Sequence, residues 1–113
     1  MATGDTARAV EVDPSGITVS GKFIRCETAK PYRGGDGVER FPARVRLLVG
    51  GGTLDVEYQS MDQAVAALTV ATGKAEPNEL QFVSLPAFAR GQWNAAEKRW
   101  GRVSFTGRGV RGA

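Results

Sequence analysis

Trp93 and Trp100 stand close together in a stretch that also holds Lys98, Arg99 and Arg102. Indole faces stack on unpaired bases, and nearby cations hold the phosphates, so these residue types suit a single-stranded nucleic acid. Two other arrangements use the same residues. The indoles can form a cross-strand pair that only stabilises a hairpin, or they can belong to a subunit interface. A second grouping places Lys30, Tyr32 and Arg33 beside Gly34, Gly35 and Gly37, with Arg40 just beyond. These glycines do not form a phosphate loop, which needs Gly-Lys-Ser/Thr at the start of a helix. A basic loop with one aromatic could grip a single strand, or it could be an ordinary surface hairpin.

The remaining chemistry is sparse. The chain has no histidine and one cysteine, Cys26. That excludes the usual zinc sites and the Ser-His and Cys-His nucleophile pairs. Cys26 lies in a strand-like run and reads as a small core residue. No enzyme, cofactor or metal is expected. A single cysteine makes no internal disulfide, which fits a reducing, cytoplasmic compartment. No apolar run approaches membrane-spanning length, and residues 1–15 lack a signal-peptide core. With 113 residues the chain is one domain, and 15 Lys+Arg against 12 Asp+Glu leave a net charge of +3. This mild basic bias permits nucleic-acid binding without requiring it. Arginine outnumbers lysine; its planar head favours phosphate forks and stacking, although a GC-rich genome produces the same bias.

The elements that must position these groups follow from turns and periodicity. Residues 1–15 are expected to be loose, and Asp13-Pro14-Ser15-Gly16 is a turn signal. Ile17 to about Thr28 reads as a long strand with Ile17, Val19, Gly21 and Phe23 on one face, and Gly21 suggests a bulge or bend. Residues 29–38 read as a flexible loop. A strand from about Arg40 to Val49 and another from Gly52 to about Gln59 flank a Gly50-Gly51 turn. That turn sets Leu47 against Leu54, Val45 against Val56 and Ala43 against Tyr58. On the other face it sets Arg46 against Asp55 and Arg44 against Glu57. Arg44 and Arg46 are thus either a nucleic-acid stripe or partners of those carboxylates.

Ser60-Met61-Asp62-Gln63 is a capping box, Met61, Val65 and Leu68 share a helical face, and Gly73 closes the helix. Leu80 to Trp93 is the next strand, with Pro86 implying an edge or bulge, and Trp100 to Arg108 is the last. Residues 109–113 read as a fraying tail. Parity puts Phe82, Phe88, Val103 and Phe105 on the core face. It puts Trp93, Trp100 and Arg102 on the opposite face, together with Val83 and Leu85.

The order strand-strand-strand-helix-strand-strand is that of a mostly β, five-stranded OB-fold barrel, with one short α-helix between strands 3 and 4 and a domain over residues 16–108. Gly91-Gln92-Trp93 followed by Lys98-Arg99-Trp100 resembles the fourth-to-fifth strand hairpin of the OB-fold single-stranded DNA-binding proteins. Val19-Ser20-Gly21-Lys22-Phe23 resembles their bulged first strand. The likeness spans residues 17–108. Two departures, the lack of an acidic Gly/Pro-rich tail and of outward aromatics on strands 2 and 3, point to the phage or plasmid type. The resemblance implies a replication-type protein that binds single-stranded DNA, possible RNA included, with little sequence preference, as a homodimer or higher oligomer. Its contact residues would be Lys22, Lys30, Tyr32, Arg33, Arg40, Trp93, Lys98, Arg99, Trp100 and Arg102. The alternative is an assembly subunit that uses the Val83, Leu85, Trp93 and Trp100 face as its interface.

Overall fold

Residues 9–11, 16–101 and 103–110 are described by the computed structural model, the side chains of 9–11, Gln92, Trp93 and Trp100 excepted. Among them the strands are β1 (Ala9–Glu11), β2 (Ile17–Thr28), β3 (Tyr32–Arg33), β4 (Glu39–Arg40), β5 (Ala43–Val49) and β6 (Gly52–Tyr58). After the helix α1 (Met61–Thr72) come β7 (Phe82–Asn94), β8 (Arg99–Trp100) and β9 (Ser104–Gly107). No helix among these residues is long and apolar enough to cross a membrane.

The β5–β6 hairpin forms in the expected register, from Ala43 opposite Tyr58 to Val49 opposite Gly52. Gly50 has φ 58° and Gly51 stays at negative φ. This is the pattern of a type II′ turn, whose twist matches the strands. Val45, Leu47 and Val56 are fully buried on the inner face. β2 pairs antiparallel with β5 on one side and with β7 on the other. Val19 and Phe23 point inward as expected. Gly21 serves a close approach rather than a bulge: a Cβ there would lie 2.7 Å from the Leu48 carbonyl oxygen and 2.8 Å from Val49 Cγ2. The bulge comes later, where the β2–β5 register shifts between Phe23 and Arg25.

β9 closes the ring. It runs parallel to β6 at Val56–Phe105 and Glu57–Thr106, and antiparallel to β7 from Ala87–Gly107 to Arg90–Ser104. The circuit β2–β5–β6–β9–β7–β2 is therefore a closed five-stranded barrel. The helix follows the sixth of the nine strands rather than the third of five, because β1, β3 and β4 are short additions. β1 also corrects the loose-terminus expectation, since residues 9–11 pair with Arg90–Gln92 of β7.

α1 covers the core with Ala64, Ala67 and Leu68 buried. Ser60 Oγ accepts from the Gln63 backbone N–H at 3.2 Å, and Gly73, at φ 80°, donates to the Thr69 carbonyl. The Gln63 side chain accepts from Val110 N at 2.7 Å and donates to Val110 O at 3.3 Å. Val110 is thereby tied to the helix, contrary to the fraying expected over residues 109–113; 111–113 lie outside the described residues.

The parity of β7 is opposite to expectation. Val83, Leu85, Ala87 and Ala89 are the buried residues, while Phe82 is 66% exposed and Val103 is exposed. The β8 and β9 ladders supply the reason. Trp93 faces Trp100, and continuing that register would bring Phe105 opposite Phe88. Phe105 in fact faces Ala89. A one-residue offset between the ladders flips every side chain beyond it. Phe105 packs on the core, and Phe88 lies beneath the Arg108 guanidinium, 4.8 Å from the ring centre. Pro86 faces β2 residue Thr18, and its carbonyl accepts from Arg108 N just past the end of the β9 pairing. The N and O of one strand residue share an edge, so the missing N–H falls where β9 has run out.

Tyr58 is buried, and its Oη has no hydrogen-bond partner among the described residues. Its ring occupies the space a Cβ on Gly107 would need. Gly107→Ala should therefore destabilise the fold by about 1–3 kcal/mol through overpacking. Tyr58→Phe should be neutral or stabilising, because it removes a buried, unpaired hydroxyl. Chemical denaturation of both variants checks this. A wild-type midpoint for Gly107→Ala would contradict the packing, and a marked loss for Tyr58→Phe would reveal a hydroxyl partner.

Candidate nucleic-acid interface

The cations of the barrel wall bear on where a polyanion could sit. Arg46 donates to both Asp55 oxygens, at 2.8 and 3.1 Å, as the hairpin register implied. Arg44 instead reaches sideways to Glu27 on β2, at 2.9 Å, and Glu27 also accepts from Arg25 at 2.8 Å. Glu57 faces Arg44 in register, but Glu27 takes the bond. Arg46 thus has the carboxylate partner expected of it, whereas Arg44 has Glu27 in place of Glu57.

The Arg44 guanidinium is the main cause holding the Glu27 carboxyl below its usual range, with Arg25 second. Arg46 does the same for Asp55. Folded values below unfolded values mean that these pairs stabilise the fold above the ordinary carboxylate range. That contribution is lost as pH falls through the lowered values. Stability should thus fall off below about pH 4, and Asp55→Asn should flatten part of that acid limb. An unchanged limb in thermal melts against pH would contradict the Arg46–Asp55 coupling.

The segment read as a flexible loop is an ordered arm. Ala29 N donates to Pro42 O at its base, and β3 and β4 pair at Tyr32–Arg40 and Arg33–Glu39. Asp36 organises its turn, accepting from Val38 N at 3.0 Å and from Arg40 Nη2 at 2.7 Å. Arg33 donates to Gly37 O. Gly37 sits at φ 80°, where a glycine is favoured. The arm exposes two aromatic rings, Tyr32 at 55% and Phe41 at 58%. Tyr32 and Gln59 separate two clefts. One, of about 400 Å³, is lined by Lys30, Arg44, Glu57 and Thr106 among others; the second, of about 610 Å³, by Arg40, Phe41, Ser60 and Gln63.

The β7–β8 hairpin carries the second group of predicted residues. Trp93 pairs with Trp100, and Asn94 with Arg99. Asn94 Oδ1 accepts from Glu97 N, and Lys98 takes φ 54°, closing the turn. Lys98 and Arg99 are exposed, and Arg99 bonds Glu97 at 2.6 Å. Such an exposed pair costs little to break. The shared outward face expected of Trp93, Trp100 and Arg102 falls on side chains, and on one whole residue, outside the described residues. Val83 and Leu85, expected on that face, are buried at 1% and 0% exposure and cannot form an interface.

Lys22 lies away from both groups, on the outer wall between Leu48 and Phe82. The predicted residues thus fall into an arm cluster (Lys30, Tyr32, Arg33, Arg40), a hairpin cluster (Trp93, Lys98, Arg99, Trp100) and isolated Lys22. Sequence reading missed Phe41 and Phe82. The signal for Phe82 was the small-apolar alternation Val83, Leu85, Ala87, Ala89, which forces its neighbour outward.

Among the described residues no group of three or more His, Cys, Asp or Glu could hold a metal. Burial, with Glu27 adding, pushes the Cys26 thiol up, and its Sγ lies 3.5 Å from Met61 Sδ. Burial likewise raises the Tyr58 phenol. Both groups stay protonated at neutral pH. Comparison with known protein families, with curated proteins and with solved structures finds no match to this chain.

Proposed function

We propose that this chain is a single-stranded DNA-binding protein on an OB-type barrel, largely indifferent to sequence. The barrel circuit supports the fold half of the reading. Its five strands close with one parallel rung, β6–β9, and the helix bridges β6 and β7. OB barrels bind oligonucleotides with the face of their second and third strands and with the loops after the first and fourth strands. Here those loops are the β3–β4 arm and the β7–β8 hairpin.

The observation that carries the function is the arm itself: two exposed rings, Tyr32 and Phe41, on a hairpin with Lys30, Arg33 and Arg40, beside clefts that Tyr32 divides. A base stacks on either ring whatever its identity, because every base has a π-face. Lys30 and the exposed Lys98 and Arg99 supply phosphate contacts. Arg33 and Arg40 first hold the arm in shape, through Gly37 and Asp36, and keep donors to spare.

Tyr32→Ala should weaken binding of a thymidine oligonucleotide by about 1–3 kcal/mol, the worth of one stacked base. Lys30→Ala should weaken it less and should reduce the dependence on salt by about one phosphate contact. Fluorescence anisotropy at two ionic strengths reads both. Wild-type affinity in both variants would remove the arm from the interface.

A further inference from the structure

The outer wall carries a third feature that neither loop contains. Phe82 and Leu48 flank Lys22 in one row across β7, β2 and β5, since Lys22 faces Phe82 on one side and Leu48 on the other. Leu80 is exposed beside them at φ 65°, a left-handed conformation that costs a leucine energy. The backbone enforces it. Leu80 N donates to Phe23 O, Phe23 N donates to Gln81 O, and Gln81 N donates to Asn78 O. The 78–81 turn is thereby clamped onto β2 beside its bulge, and the chain enters β7 with Phe82 facing outward. No ion pair engages Lys22 among the described residues.

We infer that Phe82 and Lys22 form a second station for the single strand, the ring stacking one base and the ammonium holding an adjacent phosphate. This rests on the single-strand-binding reading above. Charge and continuity select a nucleic acid over a protein partner. The row centres on an unneutralised cation between an aromatic and an aliphatic side chain. It is also continuous with the arm along the wall. From the cleft lined by Arg44, the outward rows of β2 and β5 run through Glu27–Arg44 and Arg25–Arg46 to Lys22–Leu48. Along β5 that path is about 13 Å, four residues at about 3.3 Å each. A strand held by Tyr32 at one end reaches Phe82 at the other only if it is long enough to cross those rows.

The test uses labelled thymidine oligonucleotides of about 4 and about 16 nucleotides, the span of known site sizes, with the 113-residue chain and its Phe82→Ala, Phe82→Tyr and Tyr32→Ala variants. Phe82 is largely exposed, and circular dichroism verifies that each variant is folded. The expected result is that Phe82→Ala weakens the long oligonucleotide about fivefold or more, while Phe82→Tyr keeps wild-type affinity. Tyr32→Ala should weaken both lengths. Equal affinity of Phe82→Ala and wild type for the long strand overturns the station while leaving the arm's role standing. A change of oligomeric state on sedimentation of Phe82→Ala, with affinity unchanged, assigns the patch to a second copy of the chain and also overturns it. No binding by the wild type removes both readings together.

Discussion

Closure of the barrel by β7 is the constraint on which the rest depends. Its thirteen residues hydrogen-bond to β2 over Phe82–Ala87 and to β9 over Ala87–Arg90, then continue to β1 and β8. β9, in turn, touches β6 by only two residue pairs. That short parallel rung is what turns an open sheet into a ring without the unpaired edges that invite aggregation. Closure leaves a narrow interior. Phe23, Leu47, Tyr58 and Leu68 fill it, so β7 can contribute only Val83, Leu85, Ala87 and Ala89. The larger Phe82 is left outside. The same crowding presses the Tyr58 ring against Gly107 and leaves its hydroxyl without a described partner.

The outer wall follows from the inner one. Each buried residue on β5 and β6 turns its neighbours outward, and those neighbours are Arg44, Arg46, Asp55 and Glu57. The charges largely cancel through Glu27 and Asp55. Among the described side chains, the exposed rings Tyr32 and Phe41 stand on the arm with Lys30; Lys98 and Arg99 stand on the β7–β8 turn, and Phe82 stands on the wall beside Lys22. In the proposed function the closed barrel is the support that holds the two loops and the Lys22–Phe82 row where a single strand would meet them.

What could be read from the sequence was whatever local chemistry determined. Gly50-Gly51 fixed the β5–β6 register to the residue, and Ser60 with Gly73 fixed both ends of α1. The arm was recognisable as a basic aromatic segment, but its pairing was not. Asp36 bridging Val38 and Arg40 replaces the long apolar runs that usually signal strands. The parity of β7 was misread because aromatic size was given more weight than alternation, and because the one-residue offset before β9 leaves no turn signal. Arg44 choosing Glu27 over Glu57 was also hidden, since β2 and β5 are neighbours only across the Ala29–Pro42 arm. Long-range pairing of this kind is set by the whole barrel and not by any window of residues.

Intrinsic tryptophan fluorescence, titrated with poly-thymidine and with duplex DNA at about 50 mM and about 200 mM salt, tests the central claim most directly. Trp93 and Trp100 are the only indoles in the chain and sit opposite each other on the β7–β8 hairpin. The account predicts quenching that saturates with the single strand, weakens at the higher salt and is absent with the duplex. No response to the single strand at the lower salt, or an equal response to the duplex, would contradict it.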